Sequence, residues 1–282
     1  MASTETNGLA YINDRALQDC GGSHRRIEEN TIDEVSLDDW EFTCSHGPIA
    51  TESEKDELLD MSRRSVKSLP EQVYLHNILR IRQKSTGRTL ICSARDALGQ
   101  WMRDDEENKN PMVQIGLSER WQRDRRTILE SVERVSYDWT YTTSYSGTLV
   151  DCCPRATRGQ MNMSLLTDRS APILMYDSLP LYVSELDDVG VSEVSVKVRV
   201  MPSCWFVLLR FFLRIDKQLV KIRDTRYFHQ FSKRVMLREI RHQESDDVAT
   251  VASCGDADQA ASVLQALAPV GVTLYSMEEI PL

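Results

Sequence analysis

The sequence predicts an α+β fold in which antiparallel strands form the core of a single domain and a few helices lie at its periphery. Three observations carry this prediction. Apolar residues mostly alternate with polar ones, which is the period of a β-strand with one buried face, turn signals separate these runs, and only a few segments have helical spacing. The chain has 282 residues, of which 41% are hydrophobic, enough for one substantial core.

The two ends of the chain differ in composition from its middle. Residues 1–36 lack sustained periodicity, and residues 1–60 hold fifteen Asp or Glu against four Lys or Arg, so residues 1–36 are predicted to be a disordered acidic leader that folding does not require. Residues 37–243 are predicted to form the globular domain. Residues 244–282 are predicted to be an acidic linker and tail with a short amphipathic helix that begins near Asp256.

The first predicted elements of the domain are a hairpin and a helix. The runs NILRI and RTLIC, separated by the turn signal of residues 85–87, predict two antiparallel strands. In the following SARDALGQWM, Ser93 occupies an N-cap position and Asp96 lies three residues later, close to the capping-box arrangement. Ser118 is predicted to cap a second short helix, SERWQRDRR.

The block YDWTYTTSYSGTL predicts another strand, which a turn at residues 146–147 closes. Tyr137, Trp139, Tyr141 and Tyr145 would then lie on one side of it. A row of aromatic side chains is a stacking platform for bases in some proteins that bind single-stranded nucleic acid. Packing on the face of a sheet is the favoured interpretation, because aromatic side chains there stabilise the sheet directly.

Two long strands are predicted in the middle of the chain. In VSVKVRV, valines alternate with polar residues up to Pro202, and from Ser203 onward Trp205 and every second residue after it form a fully apolar strand face. Asp216 and Lys217 are predicted to form a turn. The next strand, LVKIRD, would end at a second turn near Asp224.

This central region is basic, although the chain has a formal net charge of −9. Between Lys197 and Arg241 there are twelve Lys or Arg against three acidic residues. The polar sides of neighbouring strands are predicted to combine Lys197, Arg199, Lys221 and Arg223 into one positive stripe. The favoured interpretation is that this stripe binds an acidic protein partner. The alternatives are that it is a solvated sheet face or that it binds nucleic acid.

The sequence argues against several other classes of function. Arginines at positions 199, 210 and 214 interrupt the longest apolar run, so it is too short to span a bilayer, and the chain is predicted to be cytoplasmic. The sequence contains no glycine-rich phosphate loop, Gly-x-Ser-x-Gly elbow, His-Glu-x-x-His or Cys-x-x-Cys motif, so no catalytic residue, metal site or cofactor is predicted. A hydrolase using Cys92 or Cys204 with His76 or His229 remains the alternative from the enzyme class.

Several stretches within residues 38–243 carry a resemblance in their order and spacing. They are SLPEQVYLHNILRI, ARDALGQW, YDWTYTTSYSGTL and VSVKVRVMPSCWFVLLRFFLRID, followed by IRDTRYFH and MLRE. Together they resemble the TIPRL-type family of TOR signalling pathway regulators. The resemblance implies a compact antiparallel β core and a non-catalytic regulator that binds the catalytic subunit of type 2A-class serine/threonine protein phosphatases. It implies that other phosphatase-associated proteins of the TOR pathway are further partners. Neither nucleic acid nor a membrane is an expected partner.

Candidate contact residues lie in the matching motifs. Asp96 opens the predicted helix, with helix capping as the alternative role, and Asp224 lies in the predicted Asp-Thr-Arg turn, where an Asx-turn is the alternative. Met201 and Ile222 are apolar candidates, and burial in the core is the alternative for each. The predicted partner-binding residues are Asp96, Lys197, Arg199, Met201, Ile222, Arg223, Asp224 and Arg226.

Overall fold

Two antiparallel sheets with helices around them form the structure, which confirms the predicted fold class. The structure is a computed structural model that describes residues 10–27, 31–62, 68–106, 138–267 and 272–282. Within these ranges the strands are β1 (Tyr11–Ile12), β2 (Ser23–Ile27), β3 (Ile32–Leu37), β4 (Trp40–Ser45), β5 (Gln72–Val73), β6 (Ile78–Gln83), β7 (Thr89–Ser93), β8 (Thr148–Val150), β9 (Arg155–Ala156), β10 (Met175–Ser184), β11 (Gly190–Met201), β12 (Cys204–Ile215), β13 (Leu219–Gln230), β14 (Val235–Ser245) and β15 (Val272–Pro281).

Helices connect or cover these strands. In the described part of the chain they are α1 (Asp14–Asp19), α2 (Glu52–Ser62), α3 (Ala94–Glu106), α4 (Ser164–Thr167), α5 (Val248–Ser253) and α6 (Ala257–Leu267), with a 3-10 turn at Leu186–Asp188. Among the described helices, none has both the length and the apolar composition needed to cross a bilayer.

The larger sheet has the order β1-β10-β11-β12-β13-β14-β15-β9, with β5 also pairing with β10, and the smaller has the order β2-β3-β4-β6-β7-β8. The predicted hairpin β6–β7 and the predicted strands β11 and β12 are confirmed. The turn after β12 lies at residues 216–218 as predicted, where Lys217 adopts a left-handed φ of 61°.

The main core lies between the two sheets. Trp205 on β12 contacts Trp40 and Phe42 on β4, with ring centroids 5.2 and 6.3 Å apart. The face of the larger sheet that carries Trp205 is called the inner face here. Because alternate residues of β12 from Trp205 to Ile215 all belong to this core, the predicted apolar strand face is confirmed.

The opposite, outer face of the larger sheet carries two smaller apolar clusters. One lies beneath α4 and contains Leu166, Cys204 and Phe228. The other lies beneath α5 and α6 and contains Phe212 and Leu264 among its members. Neither cluster shares a buried residue with the core between the sheets, so these helices contribute no buried residue to the packing of one sheet on the other.

The predicted disordered leader, residues 1–36, is a point where the structure differs. Residues 10–36 contribute β1 to the larger sheet, β2 and β3 to the smaller sheet, and α1, whose Leu17 is fully buried. The side chain of Asn13 caps α1 by accepting the backbone N–H of Ala16. Strand β2 was missed because it is an edge strand of mostly polar residues, with little alternation to reveal it.

The predicted linker and tail, residues 244–282, also differ in part. The predicted short helix is present as α6, where Asp256 accepts the backbone N–H groups of Asp258 and Gln259. Residues 272–281, however, form β15, which pairs along its whole length with β14. The boundary predicted after residue 243 therefore falls inside β14.

The predicted aromatic strand is wrong where the structure describes it, because residues 138–147 form a buried loop instead. Asp138 accepts the backbone N–H groups of Thr140 and Thr142, both at 2.9 Å, and Tyr141 adopts a left-handed φ of 54°, outside the β region. The Nε1–H of Trp101 donates to the carbonyl of Asp138. The loop can be buried because side chains satisfy its backbone groups. Tyr137 and the helix predicted at Ser118 lie outside the described residues.

An ion pair with a buried carboxylate holds β2 against β3. Arg26 lies opposite Asp33 in the ladder and donates from Nε and Nη2 to its two carboxylate oxygens at 2.6 and 3.1 Å, while His24 lies 3.0 Å away. Burial alone raises the pKa of Asp33, but hydrogen bonds and charge from Arg26 and His24 outweigh it and lower the pKa below its ordinary value of 3.8.

Because of this ion pair, we expect the protein to lose folding stability at acidic pH. A carboxyl whose pKa is lower in the folded chain stabilises the fold above its unfolded pKa, and that stability is lost as the pH falls through the folded pKa. From about pH 4 to pH 2, the free energy of unfolding should therefore fall more steeply in the wild type than in Asp33→Asn. Urea titrations at each pH check this, with the exposed Asp56→Asn as control; equal slopes in Asp33→Asn and wild type would contradict it.

Candidate partner-binding surface

Strand register assembles charged side chains on the outer face of the larger sheet. Arg210 on β12 lies opposite Asp224 on β13, which lies opposite Arg241 on β14. In the next outward-facing row, Arg226 lies opposite Glu239. Together with Lys197 on β11 and Asp258 on α6, these residues form what is called here the ion-pair network.

Asp224 is the centre of the network. Its carboxylate accepts two hydrogen bonds from the guanidinium of Arg210, at 2.7 and 3.0 Å, and a third from Arg226 at 3.1 Å. Asp224 is 4% exposed and Arg210 6% exposed, so this is a buried bidentate pair. Burial alone lowers the pKa of Arg210, but the hydrogen bonds and charges of Asp224 and Asp258 raise it above its usual value.

The prediction of a turn at Asp224 is wrong. Strand β13 runs without a break from Leu219 to Gln230 and pairs with β12 on one side and β14 on the other. An aspartate is unfavourable in a central strand, and here Arg210 compensates its charge. The Asx-turn interpretation therefore fails as well.

The rest of the network is less buried. Asp258 accepts hydrogen bonds from Arg210 at 2.7 Å and from Lys197 at 3.0 Å. Glu239 lies 3.6 Å from Arg226 and accepts from Arg241 at 3.0 Å. The network thus presents half-exposed cations around a neutralised, buried centre.

The predicted positive stripe does not form. Lys197 and Arg199 face outward, whereas Lys221 and Arg223 share the other face of the sheet with their partners in the ladder, Leu213 and Phe211. Arg223 is largely buried, burial lowers its pKa, and its Nε has no hydrogen-bond partner. The alternation within each strand was visible in the sequence. The register between strands was not, and it determines which side chains of neighbouring strands lie on the same face of the sheet.

The two apolar candidates are core residues. Met201 and Ile222 are each 2% exposed. Met201 belongs to the cluster beneath α4, and Ile222 to the cluster beneath α5 and α6. Arg199, next to Met201, reaches over the first cluster and donates to the carbonyl of Leu166 at 3.3 Å. Of the predicted contact residues on this face, Lys197, Arg199 and Arg226 are accessible to a partner.

Asp96 lies at a separate site at the start of α3. The hydroxyl of Ser93 accepts the backbone N–H of Asp96 at 3.2 Å, which confirms the predicted cap, and the carboxylate of Asp96 accepts the hydroxyl of Thr148 at 2.8 Å. Asp96 lines a polar groove of about 430 Å³ together with Arg95 and Arg103. Because the apolar side of α3 packs into the core between the sheets, this groove does not join the outer-face network.

The alternative hydrolase has little support in the environment of its thiols. Cys92 and Cys204 are fully buried, and burial raises the pKa of each. A nucleophilic cysteine needs a lowered pKa instead. His229, the candidate base, donates from Nδ1–H to the carbonyl of Val235, and burial lowers its pKa.

Of the two arginines that bind Asp224, Arg226 was predicted beside it, whereas Arg210 and the other network members Glu239, Arg241 and Asp258 were missed from the sequence. Arg210 did carry a signal, because an arginine inside the apolar run WFVLLRFFL requires a buried counter-charge. Glu239 and Arg241, two residues apart on one strand face, carried a weaker signal. Asp258 carried none, since its contact depends on where α6 packs.

The fold and this surface define a two-sheet antiparallel β protein whose candidate site is a charged interaction surface. The chain belongs to the TIP41-like family, whose model matches residues 72–251, and this confirms the resemblance to the TIPRL-type family. It is 36% identical over 222 residues to the TIP41-like protein of Rattus norvegicus, covering 77% of this chain and 79% of the relative. It is 38% identical over 211 residues to the TIP41-like protein of Homo sapiens, covering 73% and 74%. The type 2A phosphatase activator TIP41 of Saccharomyces cerevisiae is 30% identical over 237 residues, which cover 77% of this chain and 64% of that protein.

Proposed function

We propose that this protein is a non-catalytic cytoplasmic regulator in TOR signalling that binds the catalytic subunit of a type 2A-class serine/threonine protein phosphatase. The observation that carries the proposal is the family membership, because the matched residues 72–251 include β10 to β14 and α3, and so both candidate surfaces except Asp258 on α6. Relatives in Saccharomyces cerevisiae and Schizosaccharomyces pombe bear the name type 2A phosphatase activator.

We assign the contact to the accessible charges of the two surfaces. On the outer face these are Lys197, Arg199 and Arg226, which would meet acidic groups of the phosphatase. The groove beside α3 would contribute Asp96 and take a basic or hydrogen-bonding group. The cations of the outer face and the carboxylate of the groove together suit a protein partner, because the surface of a protein carries charges of both signs.

Nucleic acid is the less favoured partner for the same reason. Lys197, Arg210 and Arg226 already pair with carboxylates, so few cations of this face are left to neutralise a phosphate backbone. Binding to a duplex depends on cations that neutralise phosphates. A steep loss of affinity for an oligonucleotide with added salt would be the sign of the nucleic-acid alternative.

Calorimetric titration against a purified type 2A catalytic subunit tests the proposal. The wild type should bind, and Arg226→Gln and Asp96→Asn should each weaken binding about tenfold, the loss of one charged hydrogen bond worth roughly 1.5 kcal/mol. Arg82→Gln is the matched control, since Arg82 is an exposed cation on the smaller sheet that pairs with Glu41. Thermal unfolding of each variant separates lost contacts from lost folding. Absence of binding by the folded wild type would refute the proposal.

A further inference from the structure

Helices α5 and α6 are inserted between two strands that are already neighbours. Glu244 near the end of β14 pairs with Val272 at the start of β15, so the chain leaves and re-enters the sheet at adjacent positions. A short turn would be enough to join two such strands. Residues 248–267, called here the helical flap, are therefore not needed to connect the sheet.

The flap covers apolar residues of the outer face. Val251, Ala260 and Leu264 of the flap pack on Phe212 and Ile222 of the sheet. This cluster has no buried residue in common with the core between the sheets. Lifting the flap would thus expose Ile222 without opening the main core.

Polar contacts of the flap also fall on the outer face. Asp258 pairs with Lys197 and with Arg210, and the side chain of Asp258 is 68% exposed. Ion pairs with so exposed a member contribute little stability, so they can exchange readily. The carboxylate of Asp258 already pairs with Lys197 and Arg210, the cations to which an acidic group of a partner would otherwise bind.

We propose that the helical flap is an autoinhibitory cover that competes with the phosphatase catalytic subunit for the outer face of the larger sheet. In the closed state described here, Ile222 and Asp224 are buried and Lys197 is occupied by Asp258. In the open state, the apolar patch around Ile222 and the cations beside it form one continuous docking surface. The occupant of that surface is then an acidic and apolar segment of the catalytic subunit. This inference rests on the proposed function.

Full-length variants that weaken the flap test the competition. Asp258→Ala removes both ion pairs and Leu264→Ala removes an apolar contact, and faster hydrogen exchange in residues 248–267 measures how far each opens the flap. If closure limits binding, the affinity for the catalytic subunit should rise roughly threefold to tenfold with the open fraction. Gln265→Ala, at an exposed position of the same helix, should change neither quantity. Asp258→Asn keeps the shape of the side chain and should act in the same direction as Asp258→Ala.

The outcomes separate this inference from the proposed function. A flap that exchanges faster in both variants while binding is unchanged or weaker would overturn the autoinhibitory role and make α6 a neutral or contributing element. Failure of the folded wild type and of every variant to bind the catalytic subunit would refute the proposed function and the inference with it. Tighter binding confined to the variants whose flap opens would support both.

Discussion

Deletion of residues 1–36 should abolish the cooperative thermal unfolding of the protein. The deletion removes β1, α1 and β2, together with every residue of β3 except Leu37, so that β4 becomes an unpaired edge. It also takes Leu17 and Val35 out of the core, where they are 0% and 1% exposed. Loss of one such buried leucine costs about 2–5 kcal/mol. The whole deletion is therefore comparable with the total stability of a domain, about 5–15 kcal/mol.

Circular dichroism melting curves of the deletion variant and of two point variants check this expectation. Leu17→Ala should lower the free energy of unfolding by about 2–5 kcal/mol. Arg25→Ala, an exposed residue of β2, should change it by less than about 0.5 kcal/mol. A deletion variant that melts cooperatively within a few degrees of the full-length protein would show that residues 10–36 do not stabilise the two sheets.

Elements that carry their own signal could be predicted from the sequence. In β11 apolar and polar residues alternate over most of the strand, in β12 every second residue from Trp205 onward is apolar, and β6 and β7 flank a recognisable turn. Helix α3 begins at the N-cap residue Ser93, as its sequence indicates. In each case the residues that determine the structure lie within a few positions of one another.

Elements that depend on distant partners could not be predicted in this way. Strand β2 has few apolar residues and is held by β3 and the pair of Arg26 with Asp33. The loop of residues 138–147 has the composition of a strand, but Asp138 binds its backbone N–H groups and Trp101 binds its carbonyl. Tertiary contacts override local propensity in both segments.

Some residues of the candidate site could be predicted from the sequence, but the way in which the sheet arranges them could not. Lys197, Arg199 and Arg226 do face outward and remain partly accessible. The stripe failed because a strand register, invisible in the sequence, places Lys221 and Arg223 on the other face. Asp224 was interpreted as a turn residue because its local sequence, RDTR, resembles one, whereas the arginine that stabilises it lies fourteen positions away.

Substitution of Asp224 by Asn should destabilise the fold, contrary to what a turn residue would show. Asn cannot neutralise the guanidinium of Arg210, which is buried on β12. Breaking a buried ion pair by removing one partner costs about 3–5 kcal/mol. We expect a loss near the lower end of this range, because Asp258 continues to accept a hydrogen bond from Arg210.

The double variant Arg210→Met/Asp224→Leu should recover most of that loss, since apolar side chains of similar size replace buried ion pairs at little or no cost in stability. Urea denaturation of both variants and the wild type measures the difference, and an Asp224→Asn protein within about 0.5 kcal/mol of the wild type would contradict the buried pair. The double variant also isolates the binding role of the pair of Arg210 and Asp224. If its stability is restored while its affinity for the catalytic subunit falls, the pair contacts the partner, because lost folding no longer explains the weaker binding. If affinity is restored together with stability, Asp224 acts only by holding β12 and β13 in place, and the contact belongs to the accessible cations around it.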